Sequence, residues 1–329
     1  MQISRRRRND IILFYQESHH DTIIAGTCFS ISRTYLYLCN KNYCITMKIK
    51  LSRNVSFVIL SFVYLLAAVG GYLVFTWLLP VIPELWAMFA ADAAATVIVW
   101  GVGLLFRNVS VYDPYWSVAP PVIFTFWAFY KETFSLPVLL LLTAVWYWGI
   151  RLTGNWAYTF HGMSHEDWRY TRYRQTQPAI LFHITNFFGL NMIPTVLVYA
   201  AMLPGFGLFG KTGTTDIGLW AGFAICIAAA TIQLIADTQI HNFRKTHPGQ
   251  YCDAGLWKKG RHPNYFGEIS MWWGVWLMYA SQEAVNWLIL CPVAITGLFL
   301  FVSIPMMERR QLQNKPGYEA YRKRTRILI

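Results

Sequence analysis

The sequence predicts an all-α fold, a polytopic transmembrane helical bundle of about eight helices (range seven to eight) with both termini cytoplasmic. Three observations carry that prediction. Of the 329 residues, 55% are hydrophobic and only 13% are charged, which is too apolar for a soluble domain. Apolar runs recur at 55–79, 85–106, 115–130, 136–152, 179–203, 217–237, 263–281 and 284–306, and a hydrocarbon core of roughly 30 Å takes about 20 helical residues. With eight crossings, 26 of the 28 Lys and Arg fall on one face and only Lys131 and Lys211 on the other. An excess of basic residues marks the cytoplasmic side, so helix count and orientation support each other. The net charge of +12 is spread over short juxtamembrane stretches, which argues against nucleic acid and for lipid headgroups or an anionic ligand.

Residues 1–46 mix Arg5 to Arg8 with scattered His, Tyr and Cys and lack helical periodicity. They read as a poorly structured extension without a signal peptide. Met47 precedes Lys48, Lys50, Arg53 and the first long apolar run, the pattern of a membrane protein beginning there. Residues 47–329 read as a single transmembrane domain. The third run is short and carries Pro120 and Pro121, so it is expected to be kinked or re-entrant. The six cysteines show no metal or disulfide spacing and are read as free thiols.

Gly205-Phe-Gly207-Leu-Phe-Gly210-Lys211-Thr212 satisfies two phosphate-loop patterns. Both need a strand before the glycines and a helix after them, and neither is expected here, so it reads as a Gly-rich turn. His161 and His165 stand four apart but lack acidic companions at zinc-site spacing. An interfacial amphipathic helix explains their segment, and no metal is expected.

The end of the sixth run is more specific. Asp237, His241 and Arg244 stand at i, i+4 and i+7, on one helical face, and Lys245 follows. Next comes Arg261-His262-Pro263-Asn264-Tyr265-Phe266-Gly267-Glu268, leading into a Trp-rich run. Pro263 suits the first helical turn, whose free N–H groups attract anions, and Arg261 and His262 arrive at that end. Glu268 lies one turn beyond Asn264 in an apolar segment, where a carboxylate must be paired or face a polar cavity. A structural pair with Arg261 or a loop arginine is the plain alternative. Arg151 closes the fourth run, and the tail from Glu308 to Arg324 is basic and aromatic.

These segments, with Gly255-Leu256-Trp257, resemble the C-terminal domain of the steroid 5-alpha-reductase family, specifically its bacterial branch catalogued as DUF1295. The resemblance covers about 145–329 and is strongest from 233 onward. It takes in Arg151, the run Glu166-Asp167-Trp168-Arg169-Tyr170 and the tail from Tyr318 to Tyr321. It implies a helical bundle in a bacterial inner membrane or eukaryotic endomembrane. Such a bundle takes NADPH from the cytoplasmic side and reduces a carbon–carbon double bond conjugated to a carbonyl in a steroid-like or other lipid substrate. By position, Asp237, Arg244, Asn264 and Glu268 match family residues around the cofactor. His241, Lys245, His262 and Tyr265 join that set, and Arg151 and Arg261 are added because the phosphates need several cationic donors.

The family's substrate-side Gln-Glu pair is not found in the N-terminal half, and Glu308 stands where eukaryotic members carry a basic and aromatic stretch. The nearest polar set is Tyr112-Asp113-Pro114-Tyr115-Trp116. Its Tyr112 or Asp113, beside Glu268, is the candidate catalytic acid, although an interfacial aromatic belt accounts for the same residues. Two other classes compete with the reductase. A membrane methyltransferase of the isoprenylcysteine or phospholipid type would use S-adenosylmethionine, whose charge calls for fewer cations. A non-catalytic lipid-binding protein would leave Asp237, Asn264 and Glu268 touching only neighbouring helices.

Overall fold

The computed structural model describes residues 51–210, 216–283 and 285–329 in full, together with the strands β1 (Leu13–Gln16), β2 (Cys28–Ile31), β3 (Tyr35–Asn40) and β4 (Tyr43–Lys48). Those strands form an antiparallel sheet in the order β1-β4-β3-β2. Tyr, Ile, Thr and Phe along them suit a pleated backbone.

From Arg53 onward the chain is helical: α1 (Arg53–Leu78), α2 (Glu84–Leu105), α3 (Tyr115–Tyr130), α4 (Leu136–Thr159), α5 (Trp168–Thr176), α6 (Ala179–Gly210, with a π-helical stretch at Thr185–Met192), α7 (Ile217–Thr246), α8 (Leu256–Lys259), α9 (Pro263–Ala280), α10 (Trp287–Asn314) and α11 (Tyr318–Arg324). Six of these, α1, α2, α4, α6, α7 and α10, are long and apolar enough to cross a bilayer, which makes this a polytopic helical membrane protein. The other two expected spans form helices in the expected places. α3 has 16 residues, about 24 Å at 1.5 Å per residue, and runs through Pro120 and Pro121. α9 has 18 residues, and its Asn264, Glu268 and tryptophans lower its hydropathy.

Two elements differ from their expected bounds. α4 continues to Thr159, two turns beyond the apolar run, so Arg151 sits inside the helix rather than at its end. His161 and His165 lie in the loop after it, where Gly162 takes a left-handed φ of 104° that only glycine adopts without strain. The amphipathic helix expected there begins only at Trp168. The two imidazole rings are 5.4 Å apart, and among the described residues no group of three or more His, Cys, Asp or Glu surrounds a metal position.

The chain forms two compact units, one comprising residues 1–115 and 159–193, the other 116–158 and 194–329. In the first unit, residues 162–174 are tied to the earlier helices by hydrogen bonds. Ser56 Oγ accepts from Met163 N at 3.0 Å, Asn108 Nδ2 donates to Met163 O at 2.7 Å, and Glu166 accepts from Val109 N at 2.9 Å and Arg174 at 3.0 Å. That lacing groups 159–193 with the chain's beginning.

The second unit is organised on the antiparallel pair α7 and α9. A Cβ on Gly222 would lie 2.7 Å from Gly274 O, and one on Gly267 would lie 2.6 Å from Ala229 O. Bare backbones let the two helices approach closely, which is how membrane helices gain packing energy without a hydrophobic drive. Gly207, in the run that resembles a phosphate loop, serves packing too. A Cβ there would meet the Tyr279 ring, no strand precedes the glycines, and Lys211 and Thr212 lie outside the described residues.

Candidate functional site

In the second unit, α4, α7 and α9 bring five side chains together. Arg151 and Asn155, one turn apart on α4, meet Asp237 and His241, one turn apart on α7. Arg151 NH1 donates to Asp237 Oδ2 at 3.0 Å, and Asn155 Oδ1 is 2.7 Å from His241 Nε2. The matching intervals mean that α4 and α7 run in the same direction here. Close packing of α7 against α9 places Glu268 beside the pair. Its Oε2 accepts from Trp148 Nε1 at 2.9 Å and Gln233 Nε2 at 3.2 Å, and its Oε1 from Trp272 Nε1 at 3.2 Å. Arg151 NH2 lies 3.9 Å from Glu268 Oε2, within ion-pair range.

One guanidinium therefore faces two buried carboxylates, and all three side chains are 10% exposed or less. The pairing is incomplete. Arg151 Nε and NH2 and Gln233 Oε1 are buried without a hydrogen-bond partner, whereas buried polar atoms in native proteins are nearly always satisfied. Asn264, one turn before Glu268, is half-buried and makes no hydrogen bond among the described residues. Two spare donors and one spare acceptor at a charged, buried position are the chemistry of a polar ligand site.

The outer end of α7 is cationic. Arg244 is exposed, with no carboxylate in ion-pair range among the described residues. Lys245 lies 5.7 Å from the centre of the Tyr158 ring, which itself packs 5.0 Å from His241. Lys315, which the sequence reading passed over, is half-buried at the α10–α11 turn. Its ammonium is pushed down to about 8 by burial and by the positive charge of Arg244 and Arg310, so three cationic side chains act on one another at this surface.

Arg261 and His262, expected beside the cofactor phosphates, are engaged elsewhere. Arg261 Nε donates to Glu308 Oε1 at 2.7 Å, and its NH1 donates to the carbonyls of Arg322 (2.8 Å) and Thr325. His262 Nε2 is 3.3 Å from Glu308 Oε1, and Arg322 Nε is 3.2 Å from Glu308 Oε2. The Arg261 and His262 amides donate to Arg326 O and Ile327 O, and Tyr321 Oη donates to Trp257 O at 2.5 Å. These contacts strap the C-terminal segment along the entry to α9. Pro263 does open that helix, as its sequence position predicts. Tyr265 packs between the His262 ring at 5.3 Å and the Phe299 ring at 4.9 Å.

Tyr112 and Asp113 lie in the first unit. Tyr112 is buried, its ring 5.4 Å from that of Tyr115. Asp113 accepts a hydrogen bond from the Tyr170 hydroxyl. The same unit holds an acidic group absent from the sequence reading: Asp92, buried within α2, accepts from Tyr115 Oη at 2.7 Å through Oδ1 and has no cation partner among the described residues. A lone carboxylate inside the Ala-rich apolar run 85–106 was the available signal, because an ionisable residue in a membrane helix marks function by default.

Helices that cross a bilayer, one of them carrying a buried arginine wedged between two carboxylates, define a polytopic membrane protein with a polar interior site. Residues 99–325 match the family described as "Protein of unknown function (DUF1295)", and the chain belongs to that family. It is similar to the uncharacterized protein C594.04c of Schizosaccharomyces pombe, with 23% identity over 253 residues that cover 68% of this chain and 73% of the relative. No solved structure matches the chain.

Proposed function

We propose that the second unit binds a reduced nicotinamide dinucleotide phosphate and that the protein is a membrane reductase acting on a conjugated carbon–carbon double bond of a lipid-like substrate. One observation carries the reading. Arg151 Nε and NH2 are donors without a hydrogen-bond partner and Gln233 Oε1 an acceptor without one, in one buried cluster. A primary carboxamide, with one carbonyl oxygen and one NH2 group, complements that set, and nicotinamide carries a primary carboxamide. Arg244 and Lys315 add positive charge without carboxylate partners, which suits phosphate groups. Asn264 offers a further free amide. The bound cofactor would supply the hydride; the chain's own residues bind and orient it and keep water from the reacting carbon. Resemblance of the segments around Asp237, Arg244, Asn264 and Glu268 to the steroid 5-alpha-reductase family supports the same reading.

Asp237 and Glu268 have a second task here. They compensate Arg151 in a low-dielectric interior, so that its guanidinium is held in place with two donors left over for a ligand.

Thermal unfolding of the detergent-purified protein with NADPH, NADH or S-adenosylmethionine tests the proposal. A ligand at a hundred times its Kd stabilises the folded state by about 2.7 kcal/mol, so NADPH should raise the midpoint and NADH should do so less. Glu268→Gln and Arg244→Ala should each remove the shift while the protein stays monodisperse. A shift with S-adenosylmethionine alone would assign the site to methyl transfer instead.

A further inference from the structure

The C-terminal segment is tied to both of the closely packed helices that carry the candidate site. On one side it holds the residues that open α9. The Arg261 and His262 amides donate to Arg326 O at 2.9 Å and Ile327 O at 3.1 Å, and Gly260 pairs with Arg326 as a parallel bridge. Arg261, His262 and Arg322 share the buried carboxylate of Glu308. On the other side the Tyr321 hydroxyl donates to Trp257 O. The Trp257 indole in turn donates to Ala236 O on α7 at 3.0 Å, and Gln239 Oε1 accepts from Leu256 N at 2.9 Å. Ala236 precedes Asp237, and Asn264 and Glu268 lie in the first two turns of α9.

The place of these contacts follows from how α7 and α9 pack. Their close contacts step by seven residues on each helix, about two turns: Gly222 against Gly274, then Ala229 against Gly267. The next step on α7 is Ala236, but α9 begins only at Pro263. Trp257 makes the contact there, and the tail holds Trp257. The step from Gly267 on the other strand of this series is Gly260, where a Cβ would fall 2.9 Å from both Ile329 N and Leu328 C. Those are backbone atoms, so the tail lies against bare backbone and only glycine admits it. We infer that residues 318–329 are a clamp that positions the ligand site by fixing the opening of α9 against α7. Glu308, Tyr321 and Gly260 are positioning residues within it. A site assembled from Asp237 on one helix and Glu268 on another needs its geometry held within fractions of an ångström by surrounding contacts, and beyond Gly267 the helices themselves no longer supply them.

Amide hydrogen exchange and nucleotide binding in the detergent-purified protein test the clamp. Deleting residues 326–329 removes both carbonyls that hold the Arg261 and His262 amides, and Gly260→Ala drives a methyl group into the tail. Each change should speed exchange of the Phe266, Gly267 and Glu268 amides by roughly tenfold, the factor that goes with one or two lost hydrogen bonds. Amides beside Gly222 and Gly274 should keep the parent rate. NADPH should stabilise both variants less than the parent. Gly260→Ala in the deleted chain should add nothing, because the atoms its methyl would strike are gone. Parent exchange rates at Phe266 to Glu268 in the deletion variant, or an undiminished Gly260→Ala effect in the deleted chain, would overturn the clamp. That the clamped site takes NADPH rests on the reading above, and the two fail separately. Faster exchange in variants of a protein that NADPH does not stabilise keeps the clamp and removes the reductase. Full NADPH stabilisation in a variant whose α9 opening exchanges faster keeps the reductase and overturns the positioning role.

Discussion

Arg151 faces two carboxylates with no solvent to screen the pair. Arg151→Ala would leave Asp237 and Glu268 buried together without a cation, and breaking a buried pair from one side costs about 3–5 kcal/mol. Denaturant unfolding in detergent should show that loss. Arg244 and Arg261 offer the opposite pairing of outcomes. Arg244 is exposed and unpaired, so Arg244→Ala should leave the unfolding midpoint within about 0.5 kcal/mol of the parent while weakening nucleotide binding. Arg261 holds Glu308 and two tail carbonyls, so Arg261→Ala should destabilise by about 3 kcal/mol and expose the tail after Tyr318 to protease.

Asp113 gives the pH prediction. Its neighbours are Tyr170, Arg169, Asp167, Ser110 and Tyr64, and burial outweighs them, so the folded protein holds this proton to about pH 6. The unfolded chain releases it near pH 4. Stability from this group is therefore full below about pH 4 and lost as the pH rises through 6. Asp113→Asn should flatten the thermal midpoint over that window relative to the parent, and an unchanged slope would show that the carboxyl ionises normally.

At the scale of elements, the contact between α7 and α9 positions the site. Gln233 and Glu268 meet because Gly222, Gly267 and Gly274 let the helices approach. A Cβ on Gly274 would fall 2.5 Å from Cys226 Sγ and 2.8 Å from Gly222 O, and only the thiol can move aside. Gly274→Val should cost about 1–3 kcal/mol as an overpacked contact and, by forcing α9 outward, weaken nucleotide stabilisation further. Reduced nucleotide binding with an unchanged unfolding midpoint would contradict this account. The i, i+4, i+7 stripe on α7 and the opening of α9 at Pro263 were legible beforehand, since each depends on neighbours within two turns. The extension of α4 past Arg151 was not. Residues 152–159 are polar enough to resemble a loop, and the bond from Asn155 to His241, 86 residues away, supports that part of the helix.

For the whole molecule, composition and the spacing of apolar runs determined the membrane class, because a bilayer demands long helices whatever their partners. Sequence also marked Glu268 as a carboxylate that must be compensated, since burial among tryptophans is costly wherever the cation comes from. Only the tertiary structure decided which cation. Arg261 is nearer in sequence yet is held by Glu308, while Arg151 arrives from another helix, and Asp92 finds Tyr115 across a connection that carries no local signal. Hydropathy and helical period depend on residues close along the chain and can be read from it. Ion pairs and hydrogen bonds between distant helices depend on how side chains of different elements come to face each other, and no local pattern records that.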